Sequence, residues 1–326
     1  MIQSTPSARL IACSQHPDMP IILRTFELEY WRPIHDEVLT HRVFTRSAGS
    51  SRARPSVPIN AQVCSKPWGP GHWGKNGKGM QAHGDHDDPV EVPSLLQPMF
   101  AAFASRHYPD LVRETFVAPQ AFWHFTAWLS GRCAQAFTDA GYHKQLTNRI
   151  TEPYTSIKVV LTSTDMVNFY GLRDHPLAQP EIQELARAMR AAEKDFPVRA
   201  LQYGQWHLPY ADRPEDWEDA RQYLYAGLGR EPSEAEVLEL LRKMSAARCA
   251  RVSYNLFDGS KADIASDLRL FNDLLVDQPI HASPSEHQAT PMTQDHWEAG
   301  HQRSNLRGFL QHRKMLPYEN MEPALS

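Results

Sequence analysis

Disulfide chemistry has almost no material to work with in this sequence. Its four cysteines, Cys13, Cys64, Cys133 and Cys249, are scattered and form no C-x-x-C pair. That excludes a secreted disulfide framework and a cysteine-based zinc site, and all four are expected to be reduced, buried small hydrophobes. No apolar run is long enough to cross a bilayer, and the first twenty residues have neither the basic start nor the apolar stretch of a secretion signal, so the expected compartment is the cytoplasm. The basic excess of a protein that coats duplex nucleic acid is also missing: the net charge is -4 and the pI is about 6.5. A local anion pocket remains open. There is no internal repeat and no low-complexity tract. What is present is 326 residues, 41% hydrophobic and 22% charged, with 25 prolines and a mean hydropathy of -0.52. Such a chain buries a sizeable core without staples and carries many loops.

Residues 21–31, IILRTFELEYW, alternate apolar and polar and predict a strand that the following Arg32-Pro33 ends. In IHDEVLTHRVF, Ile34, Val38 and Leu39 recur at helical spacing, with Glu37 and His41 four apart on another face. From Ser47 to Asp88 no period persists, which predicts one long loop. Its HGDHDD run, His83 to Asp88, has the spacing of no standard metal site and reads as a solvated acidic stretch. Residues 92–149 are mostly helical in pattern. A further amphipathic helix carries Ile182, Leu185, Ala186 and Met189, and polar, proline-rich sequence then interrupts from Pro197 to Pro232. Ser233 and Glu236 form a capping box that opens a helix through Val237, Leu240, Leu241 and Met244.

Several blocks together resemble one family. THRVFTRSAGSSRARP places His41, Arg42, Thr45, Ser50 and Arg52 on the pattern R-H-R-x-x-S-x-N-E-x-S-x-R. TSTDMVNFYGLRDHPLAQPEIQ places Asn168, Arg173, Ala178, Gln179, Glu181 and Ile182 on N-x-R-x-x-x-N-F-x-x-x-R-x-x-x-x-A-Q-x-E-I, and NRITEP upstream sets Arg149 on A-R-x-x-L-P. ARVSY supplies Arg251 and Ser253, and HASPSEH supplies His281, Ser283 and Glu286. These are similar to the signature blocks of the flavin-dependent thymidylate synthases, the ThyX family. There the last two blocks precede the R-H-R pattern, whereas here they follow it, so the resemblance implies circular permutation. Thr40, Ser47 and Ala48 replace the family's first Arg and its Asn-Glu pair, and Glu37 stands where the family usually has Gln.

The resemblance implies an α+β fold, a small β-sheet flanked by helices, in a single domain over 1–326. Residues 21–195 would hold the signature and late blocks, 196–232 an insertion, and 233–326 the permuted segment and tail, with His287 beside Ile21 and Ile22. It implies FAD- and folate-dependent one-carbon transfer to C5 of a pyrimidine deoxynucleotide, reductive methylation of dUMP to dTMP, with NADPH and methylenetetrahydrofolate as co-substrates. His41, Arg42, Asn168, Ser253, His281, Ser283 and Glu286 would contact FAD. Ser50, Arg52 and Arg149 would hold the nucleotide phosphate, and Arg173 would face the pyrimidine ring, with Ser50 and Arg173 as the catalytic pair. The expected assembly is a homotetramer, with no metal, nucleic-acid polymer or membrane partner. The alternatives are hydroxymethylation, a different pyrimidine nucleotide, or a catalytically silent FAD- or nucleotide-binding protein.

Overall fold

Alternation in the first thirty residues builds the central sheet. Ser7–Gln15 (β1) and Ile22–Trp31 (β2) pair antiparallel, with a bulge between Leu10 and Ala12. The computed structural model describes residues 2–82, 84–252, 263–276, 280–298, 304–316 and 319. After the short helix His35–Leu39 (α1), Thr45–Ala48 (β3) joins the same sheet. Helix Ser56–Ser65 (α2), strand Val90–Glu91 (β4), helix Gln97–His107 (α3), strand Phe116–Val117 (β5) and helices Pro119–Asp139 (α4) and Lys144–Thr151 (α5) follow. Next come strand Ser156–Ser163 (β6), helices Val167–Arg173 (α6) and Pro180–Glu193 (α7), and strand Arg199–Ala200 (β7). The remainder is helices Pro214–Leu228 (α8), Glu234–Ala250 (α9) and Ile264–Leu275 (α10), strand Ala289–Pro291 (β8), helix Gln294–Glu298 (α11) and strand Phe309–Gln311 (β9).

The sheet order is β3-β6-β2-β1-β7, antiparallel except for β1 against β7. Its two faces differ in chemistry because strand side chains alternate. One face presents Leu10, Phe26, Leu28, Tyr30, Ile157, Val159 and Leu161. The stripe Ile182, Leu185, Ala186 and Met189 of α7 packs on it together with Phe169. The opposite face carries the buried hydroxyls of Ser14, Thr25, Ser47 and Thr162, and further along the charged Arg9, Glu27, Glu29 and Lys158. Segments from 201 onward cover that polar face: Leu201, Ala289, Leu306 and Phe309 close on Leu23 and Ile21. Ala289, two residues past His287, therefore adjoins the start of β2.

Around this centre, α2, α4 and α5 form a helical layer, extended by Phe100, Phe103 and Phe125 on α3 and α4. Ala220, Trp217 and Leu224 of α8 cluster with Val237, Leu241 and Met244 of α9 and with Trp206 and Leu208. The mixed helix and sheet content agrees with α+β.

The structure corrects three sequence expectations. The stretch 47–88 is not one loop, since α2 lies inside it: Pro58 suits a first turn, and Ile59 and Val63, four apart, supply a narrow buried face too short to show as a period. The stretch 197–232 holds α8, which starts on Pro214 and ends at Gly229 with φ +68, caps that were legible although the apolar face between them is sparse. Not all four cysteines are buried. Cys133 is exposed and Cys64 partly so, because Cys133 falls on the outer face of α4. The Ser233 and Glu236 capping box forms as read, with Glu236 N donating to Ser233 Oγ at 3.3 Å and Ser233 N donating to Glu236 Oε2 at 2.8 Å.

Candidate active site

Strand β3 lies at the sheet edge, and the sequence blocks meet around it. At its N-terminal side, α1 ends in a turn that leaves His41 only 5% exposed, stacked on Phe44 and edge-on to Phe169 of α6. Arg173, at the end of α6, donates from Nε to His41 Nε2 at 3.0 Å, from NH1 to Glu37 Oε2 at 2.8 Å and from NH2 to Thr40 Oγ1 at 3.3 Å. Burial first, then the charges of Arg173 and Arg46, lower the His41 pKa, which favours the neutral ring that accepts a hydrogen bond from the guanidinium. Arg46 braces this corner by donating to Val38 O at 3.0 Å and His41 O at 3.4 Å. Glu37, where the family usually has Gln, is thus ion-paired with Arg173. Arg42 and Asn168 are exposed on neighbouring surface.

At the other end of β3 the chain turns through Gly49 into Ser50, the exposed Arg52 and the half-buried Arg54. Asn148 of α5 holds this turn by donating to Ser51 O at 2.7 Å and Arg54 O at 3.0 Å. Arg32 donates to Gly49 O at 3.1 Å and lies 3.9 Å from Glu152, which Arg149 engages with both carboxylate oxygens at 3.0 and 3.1 Å. Three guanidiniums thus crowd one place. The Arg32 pKa is lowered chiefly by burial, and Arg54 and Arg149 push it further down against the pull of Glu152. Among the described residues Arg32 Nε is buried without a hydrogen-bond partner. The crowded positive charge suits an anion.

The blocks from the far end of the sequence reach the same strand. A Cβ on Gly49 would lie 3.2 Å from the carbonyl oxygen of Val252, the residue after Arg251, so the ARVSY segment abuts the Gly49 turn. The turn Ser283–Glu286 packs on β3, and His287 Nε2 lies 3.0 Å from Ser47 Oγ. Glu286 pairs with Arg313, while His281 and Ser283 are exposed. Ser253 lies outside the described residues. His312, in the QHR run near the C-terminus, is a core residue stacked on Phe271 and edge-on to Trp206. Among the described residues no three His, Cys, Asp or Glu side chains converge as a metal site, and none of their helices is long and apolar enough to cross a membrane.

Comparisons with known proteins yield a partial structural likeness. No family model matches the chain, and no curated protein sequence does. Two solved structures of the UMP/dUMP methylase PolB from Streptomyces cacaoi, bound with 5-Br UMP and with 5-Br dUMP, each superpose with a TM-score of 0.40 at 14% identity. They cover 59% of this chain and 89% and 90% of their own. A superposition that loose carries no functional argument, which rests on the residues above.

Sequence reasoning missed a cavity of about 770 Å³ on the polar sheet face, floored by Arg9, Ser14, Glu27 and Lys158. Its wall includes Tyr210, which has φ +65 and donates from its hydroxyl to Glu27 Oε2 at 2.7 Å, and Arg248 and Arg251 at the end of α9. Left-handed backbone at a tyrosine is strained and belongs to sites that over-determine it. Alternation in SARLIACSQ was the available signal: it sets Arg9 and Ser14 on one face once the bulge is allowed for.

Proposed function

We propose that this protein is a flavin-dependent enzyme that transfers a one-carbon unit to C5 of a pyrimidine deoxynucleotide, with reductive methylation of dUMP to dTMP as the leading reaction. One observation carries the reading: blocks up to about 240 residues apart, chosen only for their resemblance to the ThyX signatures, meet at β3. Arg173 bonds to His41 at 3.0 Å, Val252 abuts Gly49, and His287 reaches Ser47 at 3.0 Å. On this reading Ser50, Arg52 and Arg149 hold the nucleotide phosphate, supported by the positive charge of Arg32 and Arg54 close to Arg149. Arg173 supplies positive charge where C5 becomes nucleophilic, and its tie to Glu37 and His41 fixes the guanidinium in advance.

The donor chemistry of His41, Arg42, Asn168, Ser253, His281, Ser283 and Glu286 suits FAD, several of these side chains being exposed as a cofactor shared between subunits of a homotetramer requires. Bound FAD would supply the redox chemistry, with NADPH as reductant and methylenetetrahydrofolate as carbon donor. Circular permutation of the ThyX order is part of the proposal, and the cluster that Ala289 shares with Leu23 and Ile21 supports it.

A second reading, a pyrimidine nucleotide other than dUMP, is favoured by Ser47, which replaces the family's Asn and is bound by His287. Purified protein incubated with FAD, NADPH, methylenetetrahydrofolate and dUMP should yield dTMP by mass. Turnover of a different pyrimidine, or a hydroxymethyl product, would select the second reading. FAD binding without turnover of any pyrimidine nucleotide would leave a silent scaffold and overturn both.

A further inference from the structure

Four buried hydroxyls and two buried imidazoles form one unbroken hydrogen-bonded chain under the polar face of the sheet. Ser47 Oγ lies 3.0 Å from His287 Nε2, and His287 Nδ1 lies 2.8 Å from Thr162 Oγ1. Thr162 Oγ1 is 2.7 Å from Thr25 Oγ1, which is 2.8 Å from His207 Nε2. His207 Nδ1 is 2.8 Å from Ser14 Oγ. The chain crosses β3, β6, β2 and β1 in turn. Ser14 stands in the cavity wall, and Ser47 lies within the signature block.

Continuity is what sets this chain apart from ordinary polar packing. Some other buried hydroxyls among the described residues end on carbonyls, as Ser245 does on Pro209 O and Ser285 on Ala282 O, and Ser56 meets Thr147 at 2.9 Å. Here every interior member can both give and take a proton. Burial holds His207 and His287 neutral, with pKa values lowered to about 3 in each, so each ring carries one N–H. Six groups with one proton apiece complete the chain when all donors point the same way. Both histidines must then carry the proton on the same nitrogen, Nε2 in one polarity and Nδ1 in the other.

We propose that this chain is a proton path joining the cavity to the signature strand. A proton arriving at Ser14 Oγ releases that hydroxyl's own proton to His207 Nδ1. The His207 Nε2 proton passes to Thr25, the Thr25 proton to Thr162, the Thr162 proton to His287 Nδ1, and the His287 Nε2 proton to Ser47, which gives up its original proton. One proton enters and one leaves, only O–H and N–H bonds exchange, and the electron pairs stay on their oxygens and nitrogens. The reversed chain is then set to carry a proton back. The path does not depend on the flavin reading, since its geometry lies entirely within this chain.

The test is imidazole ¹⁵N NMR on the full-length protein near pH 7. His207 and His287 are expected in matching tautomers that interconvert at a common rate. Opposite tautomers, or tautomers that do not interconvert, would overturn the proposal. In His207→Gln the carboxamide can donate and accept much as the ring does but cannot pass a proton on, so the fold should persist while His287 stops interconverting. Unchanged interconversion of His287 in that variant would also overturn it. If the Gln variant does not fold, Thr162→Val, close to isosteric, breaks the middle of the chain. The two histidines should then lose their common rate, and a common rate that survives counts against the path.

Discussion

Arg173 and Arg149 look alike in sequence and differ in what surrounds them. Arg173 is largely buried and bonded to Glu37, His41 and Thr40, whereas Arg149 is more than half exposed and shares Glu152 with Arg32. If Arg173 stabilises charge that appears only during reaction, Arg173→Ala lowers turnover by about two or more orders of magnitude and spares FAD binding. Arg149→Ala, which removes a phosphate contact present throughout, mainly raises KM. Steady-state kinetics with a FAD titration separates the two, and loss of FAD from Arg173→Ala would remove that arginine from the ring. Glu37→Gln tests the pairing found here: it withdraws a negative charge from Arg173, so the nucleotide should bind several-fold more tightly at low salt, measured by calorimetry. These individual residues were legible because the block patterns name them. Their partners were not, since Glu37 to Arg173 spans 136 positions and no local period encodes it.

Elements were legible where a period ran long enough. The stripe of α7 and the alternation of β2 appear in the structure as read, and the capping box opens α9. Helix α2 was hidden because its evidence lies in packing against α4. A Cβ on Gly131 of α4 would sit 2.6 Å from Cys64 Sγ and 3.1 Å from Asn60 O, so only glycine permits this approach of the two helices. Gly131→Ala should therefore destabilise by about 1–3 kcal/mol in a urea melt despite alanine's better helix propensity. Cys64→Ala, which clears the nearer atom, should recover part of that loss in the double variant. Additive losses from the two substitutions would mean that the contact does not set the helix spacing. The strand β1 was missed for a different reason: its bulge shifts the alternation by one residue, so Arg9 and Ser14 fall on one face only after the break at Leu10 and Ala12.

At the scale of the molecule, the half of the sheet that faces β8 and β9 is polar yet buried, and that combination ties stability to protons. His207, His287 and His312 are sealed inside, and burial drives the pKa of each down to about 3, with His287 and Arg199 adding to the effect at His207 and Arg242 and Lys243 at His312. Unfolded, each would titrate near the ordinary histidine value of about 6.5. Between those limits the unfolded chain binds protons that the folded chain refuses. The folded state therefore keeps its full advantage above about pH 6.5 and loses it progressively as pH falls toward 3, by up to about 1.4 kcal/mol per pH unit for each histidine. Urea unfolding followed from pH 7.5 down to 4.5 should show that decline. His287→Gln will lower stability at pH 7.5 if the hydrogen bonds to Ser47 and Thr162 are imperfectly replaced, so the decisive quantity is the slope against pH. Without that titrating ring the slope should be shallower by about one proton, most clearly below pH 6. Equal slopes in wild type and His287→Gln would mean that His287 takes up its proton in the folded state as readily as in the unfolded one. That outcome is incompatible with a sealed, neutral histidine at the centre of the sheet.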